Sequence, residues 1–134
     1  MLDEDVAEAT LKAAELKSPL VIAEVRLEER DFRQLAVKSG QVSSVSSLED
    51  SGMNVRIVLP TGIGFASSNA ISKAEGARLV KVAFRLAKNA GRRTRISLSS
   101  EPAVKTEWVV RQKRPLADVG VDEKLSYIRA WIPP

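Results

Sequence analysis

The 134-residue sequence contains no histidine and no cysteine. A catalytic zinc ion takes about three ligands from histidine, cysteine and carboxylates, and carboxylates alone suit magnesium or calcium better. Nucleophilic systems that pair serine or cysteine with histidine are excluded for the same reason. We therefore predict that the chain holds no catalytic residue, no metal site and no cofactor of its own.

Aromatic residues and long apolar runs are also scarce. Phe, Trp and Tyr make up 4% of the chain, so aliphatic side chains must fill most of the core. No apolar run approaches the roughly 20 residues of a membrane-spanning helix, and the N-terminus is acidic where a signal peptide would be basic. With 44% hydrophobic and 28% charged residues, the composition is globular. We expect one domain over residues 1–134, in the cytoplasm and without a membrane partner.

The hydrophobic pattern of the first half predicts one helix followed by strands. Apolar residues recur at helical spacing from Asp3 to Lys17, and they alternate from Leu20 to Arg30, as in a strand. Ser39-Gly40 separates Phe32–Lys38 from Gln41–Leu48. This pair favours a tight hairpin, because glycine accepts positive φ.

The second half is predicted to place a long helix among further strands. After a turn at Asp50–Gly52, alternation predicts strands at Met53–Leu59 and Ile63–Ser67. A capping box that begins at Ser72 starts the long helix, which Gly91 is suited to end. Beyond this helix, strands are predicted at Arg95–Ser99 and Val104–Arg111. A last helix follows, and Asp122 is predicted to cap it. Its inward-facing residues should be Leu125, Ile128 and Trp131 or Ile132.

This element order, α-β-β-β-β-β-α-β-β-α, predicts an α+β fold. In such a fold about three helices pack on a curled, mainly antiparallel sheet. No internal repeat and no linker-like stretch divides the chain, so a single domain is the economical interpretation.

Gly62-Ile63-Gly64 opens a segment that imitates a dinucleotide-binding loop. In that motif the glycines lead straight into a helix that holds the pyrophosphate, and an acidic residue follows about 20 positions later. Here the capping box comes several residues later, and no acidic residue lies in Val80–Arg85. We interpret the glycines as a turn and a site of close strand packing.

The serine-rich second arm of the hairpin, Gln41–Leu48, is predicted to lie at a sheet edge. Extended peptides bind such edges by adding a strand through main-chain hydrogen bonds. A solvated edge with small polar side chains is the alternative. The candidate peptide or partner contacts, on this arm and on the wet face of the first strand, are Arg26, Glu28, Arg30, Gln41, Ser44 and Ser46.

Basic residues repeat at helical spacing along the long helix and continue beyond it. With a net charge of +4, such a stripe could bind a nucleic acid or an acidic protein. It is equally typical of a solvated helix face. Trp108, Tyr127 and Trp131 lie elsewhere in the sequence, which argues against a single-stranded nucleic acid that would need stacking aromatics. The stripe consists of Arg78, Lys81, Arg85, Lys88, Arg92 and Arg93.

Three segments occur in order: Ala23–Arg30, Leu35–Val42 and Gly64–Asn69, the last of them before the basic helix. This order resembles the N-terminal region of the TldD/PmbA family of metallopeptidases, some members of which are called modulators of DNA gyrase. The likeness runs from about Ala23 to Ala90, and a fainter likeness covers Asp118 to Ile128.

The resemblance implies a noncatalytic TldD/PmbA-like N-terminal domain. The family's zinc site is a His-Glu-x-x-x-His helix with a further ligand such as cysteine, and nothing in this sequence matches it. Zinc is thus implied for the full assembly and not for this chain. The implied role is to help form the wall of a cavity that admits unfolded or extended peptides, together with a second copy or a second TldD/PmbA-type subunit.

Two other function classes remain open. The basic stripe is consistent with a module that binds nucleic acid or an acidic protein. The fold is also consistent with a purely structural oligomerisation module.

Overall fold

The computed structural model describes residues 3–19, 22–91, 96 and 98–131. Three strands form one antiparallel sheet in the order β1-β2-β3. The elements in chain order are α1 (Glu4–Glu15), β1 (Ile22–Lys38), β2 (Gln41–Leu59), β3 (Gly62–Ser68), α2 (Lys73–Asn89), a 3-10 helix (Leu116–Asp118) and α3 (Val121–Ala130).

The described residues group into two compact units. The first unit comprises the residues up to Asp31 together with those from Glu49 to Ser99. The second comprises Phe32–Leu48 together with the residues from Ser100 onward. The first unit contains α1, α2, β3 and the adjoining parts of β1 and β2, whereas the second contains the turn end of the β1–β2 hairpin and α3.

The core of the first unit lies between one face of the sheet and the helices α1 and α2. Met53, Val55 and Ile57 alternate along β2 and are at most 2% exposed. They belong to one apolar cluster with residues of both helices, and α2 packs against both β3 and α1. The helical contributors to the cluster are Val6, Ala14, Leu79, Val80, Ala83 and Ala87.

The glycines of β3 let α2 approach the sheet closely. A Cβ atom on Gly62 would lie 2.1 Å from the Ala87 carbonyl oxygen, and one on Gly64 would lie 1.9 Å from the Ala83 carbonyl oxygen. Both positions are inside a strand that continues to Ser68, so no helix follows directly. Close packing at these glycines is confirmed, although their close neighbour is the helix α2, and the turn lies before them at Pro60 and Thr61.

Several locally encoded elements are confirmed. The hairpin turns at Ser39 and Gly40, which have φ values of 49° and 75°. Ser72 is the N-cap of α2, and its hydroxyl accepts a hydrogen bond from the Glu75 amide at 3.1 Å. Gly91 follows the helix with a φ of 58°, the left-handed conformation typical of the residue after a C-cap.

The predicted strand order and curled sheet are wrong, because two pairs of expected strands are each one long strand. β1 runs unbroken from Ile22 to Lys38, and β2 runs from Gln41 to Leu59 through the expected turn at Asp50–Gly52. Hydrogen bonding to an adjacent strand satisfies the backbone there, so the turn-forming composition does not interrupt the strand. The result is three strands rather than seven in the described part of the chain.

The predicted strands Arg95–Ser99 and Val104–Arg111 are also contradicted where the structure describes them. Ile96 and residues 98–112 have neither helix nor strand structure. Ile96 donates one backbone hydrogen bond to the Pro60 carbonyl at 2.9 Å, but a single bond does not make a ladder. Strand propensity is realised only against a neighbouring strand, and none of the described strands pairs with these residues.

The last helix forms, but its N-cap and its buried face differ from the prediction. Gly120 is the N-cap of α3, and Asp122 lies in the first turn instead. Leu125 is buried as expected, whereas Trp131 is 87% exposed. Ile132, the alternative inward residue, lies outside the described residues. No helix in the described ranges is long and apolar enough to cross a membrane.

Candidate functional site

The face of the sheet that points away from α1 and α2 mixes apolar and charged side chains. Side chains alternate along a strand, so the residues between the core positions share this opposite face. The register of β2 and β3 places Arg56 beside Phe65 and Val58 beside Ile63. We call this surface of the first unit the outer sheet face; it comprises Ile22, Glu24, Arg26, Asn54, Arg56, Val58, Ile63 and Phe65.

Glu24 is the electrostatic centre of the outer sheet face. Its carboxylate accepts hydrogen bonds from Arg26 on the same strand and from Arg56 on β2. Partial burial opposes ionisation of Glu24, but the hydrogen bonds and charges of the two guanidinium groups outweigh it and lower its pKa. The Arg26 and Arg56 side chains keep 68% and 50% of their surface exposed, so both can still reach a ligand.

Apolar side chains flank this charged centre. Ile22, Ile63 and Phe65 are 50%, 43% and 54% exposed. Val58 lies among them on the same face and is buried. Exposed apolar side chains that adjoin one another, rather than lie scattered, mark surfaces that contact other molecules.

A polar cleft of about 390 Å³ lies within the same unit. Arg30 projects into it and donates to the Glu28 carboxylate. That hydrogen bond, together with the charges of Glu28 and the more distant Asp50, raises the pKa of Arg30. The cleft lining is Glu28, Arg30, Asp50, Ser51, Gly52, Met53, Asn54, Ser67, Ser68 and Asn69.

The first turn of α2 adjoins the cleft through Ser68. The Arg78 guanidinium donates to both oxygens of Glu75, at 3.0 Å and 2.6 Å. These bonds, with a further one from the Ser68 hydroxyl, lower the pKa of Glu75 to about 2. The Ser68 hydroxyl also accepts from the Ala70 amide at 3.2 Å. Glu75 is therefore ionised, and its carboxylate links the first turn of α2 to the end of β3 through the hydrogen bond from Ser68.

The six predicted peptide contacts are divided between the two units. Arg26, Glu28 and Arg30 lie on β1 in the first unit, all exposed. The other three, Gln41, Ser44 and Ser46, lie on β2 in the second unit and are exposed as well.

The serine-rich arm has one strand neighbour in the described structure. β3 pairs with β2 only from Met53 to Leu59. Gln41–Leu48 is therefore flanked by β1 on one side and by no described strand on the other. That open side can accept an added strand.

The basic stripe forms one exposed face of α2. Lys81, Arg85 and Lys88 are exposed on the side opposite the buried Leu79 and Ala83. Arg78 belongs to the same stripe, but its charge is paired with Glu75. The last two predicted members, Arg92 and Arg93, lie outside the described residues.

Sequence reasoning missed Arg56, Ile63 and Phe65 as parts of a shared surface. Alternation in β2 and β3 places each of them opposite the core, and this signal is readable from the sequence. Only the strand register brings Arg56 to Glu24, which is 32 positions away in the chain.

The donor set does not fit a zinc ion. The described residues contain no group of three or more histidine, cysteine or acidic side chains positioned to hold a metal. The sequence as a whole has no histidine and no cysteine, the ligands that zinc prefers.

A family model described as PmbA/TldA metallopeptidase domain 1 matches residues 23–90. The chain belongs to this metallopeptidase family. The resemblance stated from the sequence segments is thereby confirmed, with its limits at Ala23 and Ala90. The matched residues include β2, β3, α2 and all of β1 except Ile22, and hence the cleft, the basic face of α2 and the outer sheet face apart from Ile22.

One relative is the metalloprotease MJ0996 of Methanocaldococcus jannaschii. It is 28% identical to this chain over 108 residues, which are 79% of the chain and 24% of the relative. The chain thus spans about a quarter of the length of this relative.

Proposed function

We propose that the chain acts as a noncatalytic domain of a PmbA/TldD-type metallopeptidase assembly. It contacts an unfolded or extended peptide, while another domain or chain supplies the catalytic zinc. The observation that carries this proposal is that the chain matches domain 1 of the family, although its side chains do not fit a zinc site.

The exposed polar groups of the first unit support a contact role. Arg26, Glu28 and Arg30 all lie on β1 and keep their charged ends accessible. Guanidinium and carboxylate groups of this kind bind the main-chain carbonyls and amides of an extended peptide without reading its sequence. The open side of Gln41–Leu48 adds main-chain donors and acceptors of the same sequence-independent kind.

An activity assay tests the noncatalytic part of the proposal. The full chain is incubated with zinc and a denatured, fluorescently labelled protein, and cleavage is followed with and without a chelator. We expect no cleavage above the rate without protein. Cleavage that rises with zinc and disappears with the chelator would contradict the proposal.

A binding assay tests the contact part. Fluorescence anisotropy with a labelled unfolded peptide should show saturable binding that Arg26→Ala and Arg30→Ala weaken. Lys12→Ala is the matched control, because Lys12 is an exposed cation on α1 and not on a strand. If Lys12→Ala weakened peptide binding equally, the net charge of the chain would explain the effect, and the proposed contact role would be contradicted.

Assembly with a second copy or a second PmbA/TldD-type subunit is part of the same proposal. Light scattering coupled to size-exclusion chromatography measures the molar mass of the chain alone and mixed with such a subunit. A species heavier than either component supports assembly, and a purely structural role then predicts assembly without peptide binding.

The exposed basic face of α2 favours one alternative, a nucleic-acid or acidic-protein binder. In that case the affinity for a DNA duplex should fall steeply with salt, because each phosphate contact releases a counterion. Lys81→Ala, Arg85→Ala and Lys88→Ala would each reduce the slope by about one contact. Absence of DNA binding at low salt removes the nucleic-acid version of this alternative.

A further inference from the structure

The outer sheet face has a local charge imbalance that specifies what it can bind. Arg26 and Arg56 both donate to the single carboxylate of Glu24, so two cations share one anion. The cluster therefore has a net charge of +1 (two guanidinium groups minus one carboxylate). A guanidinium has five N–H donors, and one shared carboxylate leaves several of them on each arginine without a protein acceptor in the cluster.

The surroundings of this cluster are apolar on one side, whereas Glu28, two positions after Arg26, and Asn54, two positions before Arg56, lie on the other side. Phe65 lies beside Arg56 in the strand register, and Ile63 lies beside Val58, two positions further along β2. Ile22 precedes Glu24 by two residues on the same face of β1. A carboxylate that approached the two arginines would therefore bring its own neighbouring side chains onto Ile22, Ile63 and Phe65.

From this arrangement we infer that the outer sheet face binds a peptide segment in which apolar side chains adjoin one carboxylate. The carboxylate accepts hydrogen bonds from Arg26 and Arg56, and the apolar neighbours cover Phe65 and the two isoleucines. This inference rests on the proposed peptide-contact role and specifies the chemistry of the peptide.

Charge complementarity selects this occupant over a second copy of the chain. Two outer sheet faces packed on each other would bring two clusters of net positive charge together, which opposes association. A basic peptide meets the same repulsion, whereas an acidic one neutralises the excess charge. The apolar neighbours exclude a purely acidic segment, because its extra carboxylates would face Ile63 and Phe65 without hydrogen-bond donors.

Three labelled hexapeptides, used with the full chain, test the inference. Each has five leucine or phenylalanine residues and, at its third position, glutamate, glutamine or lysine, and the ends are blocked. We expect the glutamate peptide to bind about ten-fold more tightly than the glutamine peptide, as for the loss of a charged hydrogen-bond acceptor. The lysine peptide should bind most weakly.

Variants locate the site. Arg26→Ala and Phe65→Ser should each weaken the glutamate peptide, and Arg26→Ala should also remove its advantage over the glutamine peptide. Lys12→Ala on α1 is the matched control and should change neither value. Arg26 and Phe65 are both at least half exposed, so these variants should fold, and circular dichroism checks that they do.

The outcomes separate this inference from the proposed function. Equal binding of all three peptides, sensitive to Phe65→Ser, overturns the carboxylate preference but leaves a peptide-contact domain. If Arg85→Ala abolishes the preference for glutamate and Arg26→Ala does not, the site lies on α2 and the inference is overturned. No binding of any peptide, including an unselected unfolded one, overturns both.

Discussion

Position 64 accommodates only glycine, because the backbone of α2 passes directly over it. A Cβ atom there would lie 1.9 Å from the Ala83 carbonyl oxygen and 2.6 Å from the Ala87 amide nitrogen. Both atoms belong to the helix backbone, so no side-chain rotation relieves the overlap. A methyl group at this position must push α2 away from the core.

We expect Gly64→Ala to lower the free energy of unfolding by about 3 kcal/mol, the upper part of the range for overpacked cores. Urea denaturation followed by circular dichroism measures the change. Gly120→Ala is the control, because a Cβ atom there meets no atom within 4 Å and its φ is not positive, so it loses only the preference of an N-cap for glycine over alanine. A Gly64→Ala protein as stable as the Gly120→Ala protein would mean that α2 does not lie against β3 in solution.

Glu75 gives the first unit a defined dependence on acid. Its folded-state pKa is about 2 against an ordinary value of 4.5, chiefly because Arg78 and Ser68 donate to its carboxylate. A depressed pKa stabilises the folded state at pH values above the unfolded pKa. This contribution is fully present well above pH 4.5 and is lost as the pH falls towards 2.

The Glu75→Gln variant should therefore lose part of its stability at neutral pH but show a shallower decline between pH 5 and pH 2. Thermal unfolding of both proteins over about this range of pH gives the comparison. An NMR titration of the Glu75 carboxyl carbon adds a direct measurement of the pKa. A midpoint near 4.5 would contradict the hydrogen-bonded arrangement with Arg78.

At the scale of elements, the start of α2 depends on one hydroxyl. The Ser72 hydroxyl accepts a hydrogen bond from the Glu75 amide, one of the first-turn N–H groups that have no partner inside the helix. Ser72→Ala should lower the free energy of unfolding by about 1 kcal/mol. Chemical denaturation of this variant beside Ser126→Ala, an exposed serine that caps no helix, makes the comparison. A loss no larger than that of Ser126→Ala would show that the cap does not stabilise the fold.

Elements with a local signal could be predicted from the sequence, and those that depend on a distant partner could not. The Ser72 cap, the Ser39-Gly40 turn and Gly91 each fix backbone geometry within a few residues. The fusion of the expected strands across Asp50–Gly52 depends on hydrogen bonds to β1. The absence of a strand at Val104–Arg111 likewise reflects a missing neighbour, which no local pattern records.

The candidate site shows the same division. Alternation in β1 sufficed to place Arg26, Glu28 and Arg30 on one wet face. It could not reveal that Arg56 shares Glu24 with Arg26, because that contact requires the register of the strands. The charge imbalance on the outer sheet face is therefore a property of the sheet and not of any segment.

At the scale of the whole chain, burial is concentrated in the first unit. All eleven residues of the buried apolar cluster belong to it. In the second unit Leu125 is the buried apolar residue among those described, and Trp108 is 84% exposed. Amide protection requires hydrogen bonds within a packed structure, so the two units should differ in hydrogen exchange.

We expect the slowest exchange at residues 53–59 and 62–68, whose amides lie in paired strands under α2. Residues 100–111 should exchange fastest, because none of them is in a helix or strand. Hydrogen–deuterium exchange of the intact chain, read by mass spectrometry of its peptides, resolves these segments. Slow exchange at residues 100–111 would require hydrogen-bonded structure there and would contradict the absence of helix and strand from this segment.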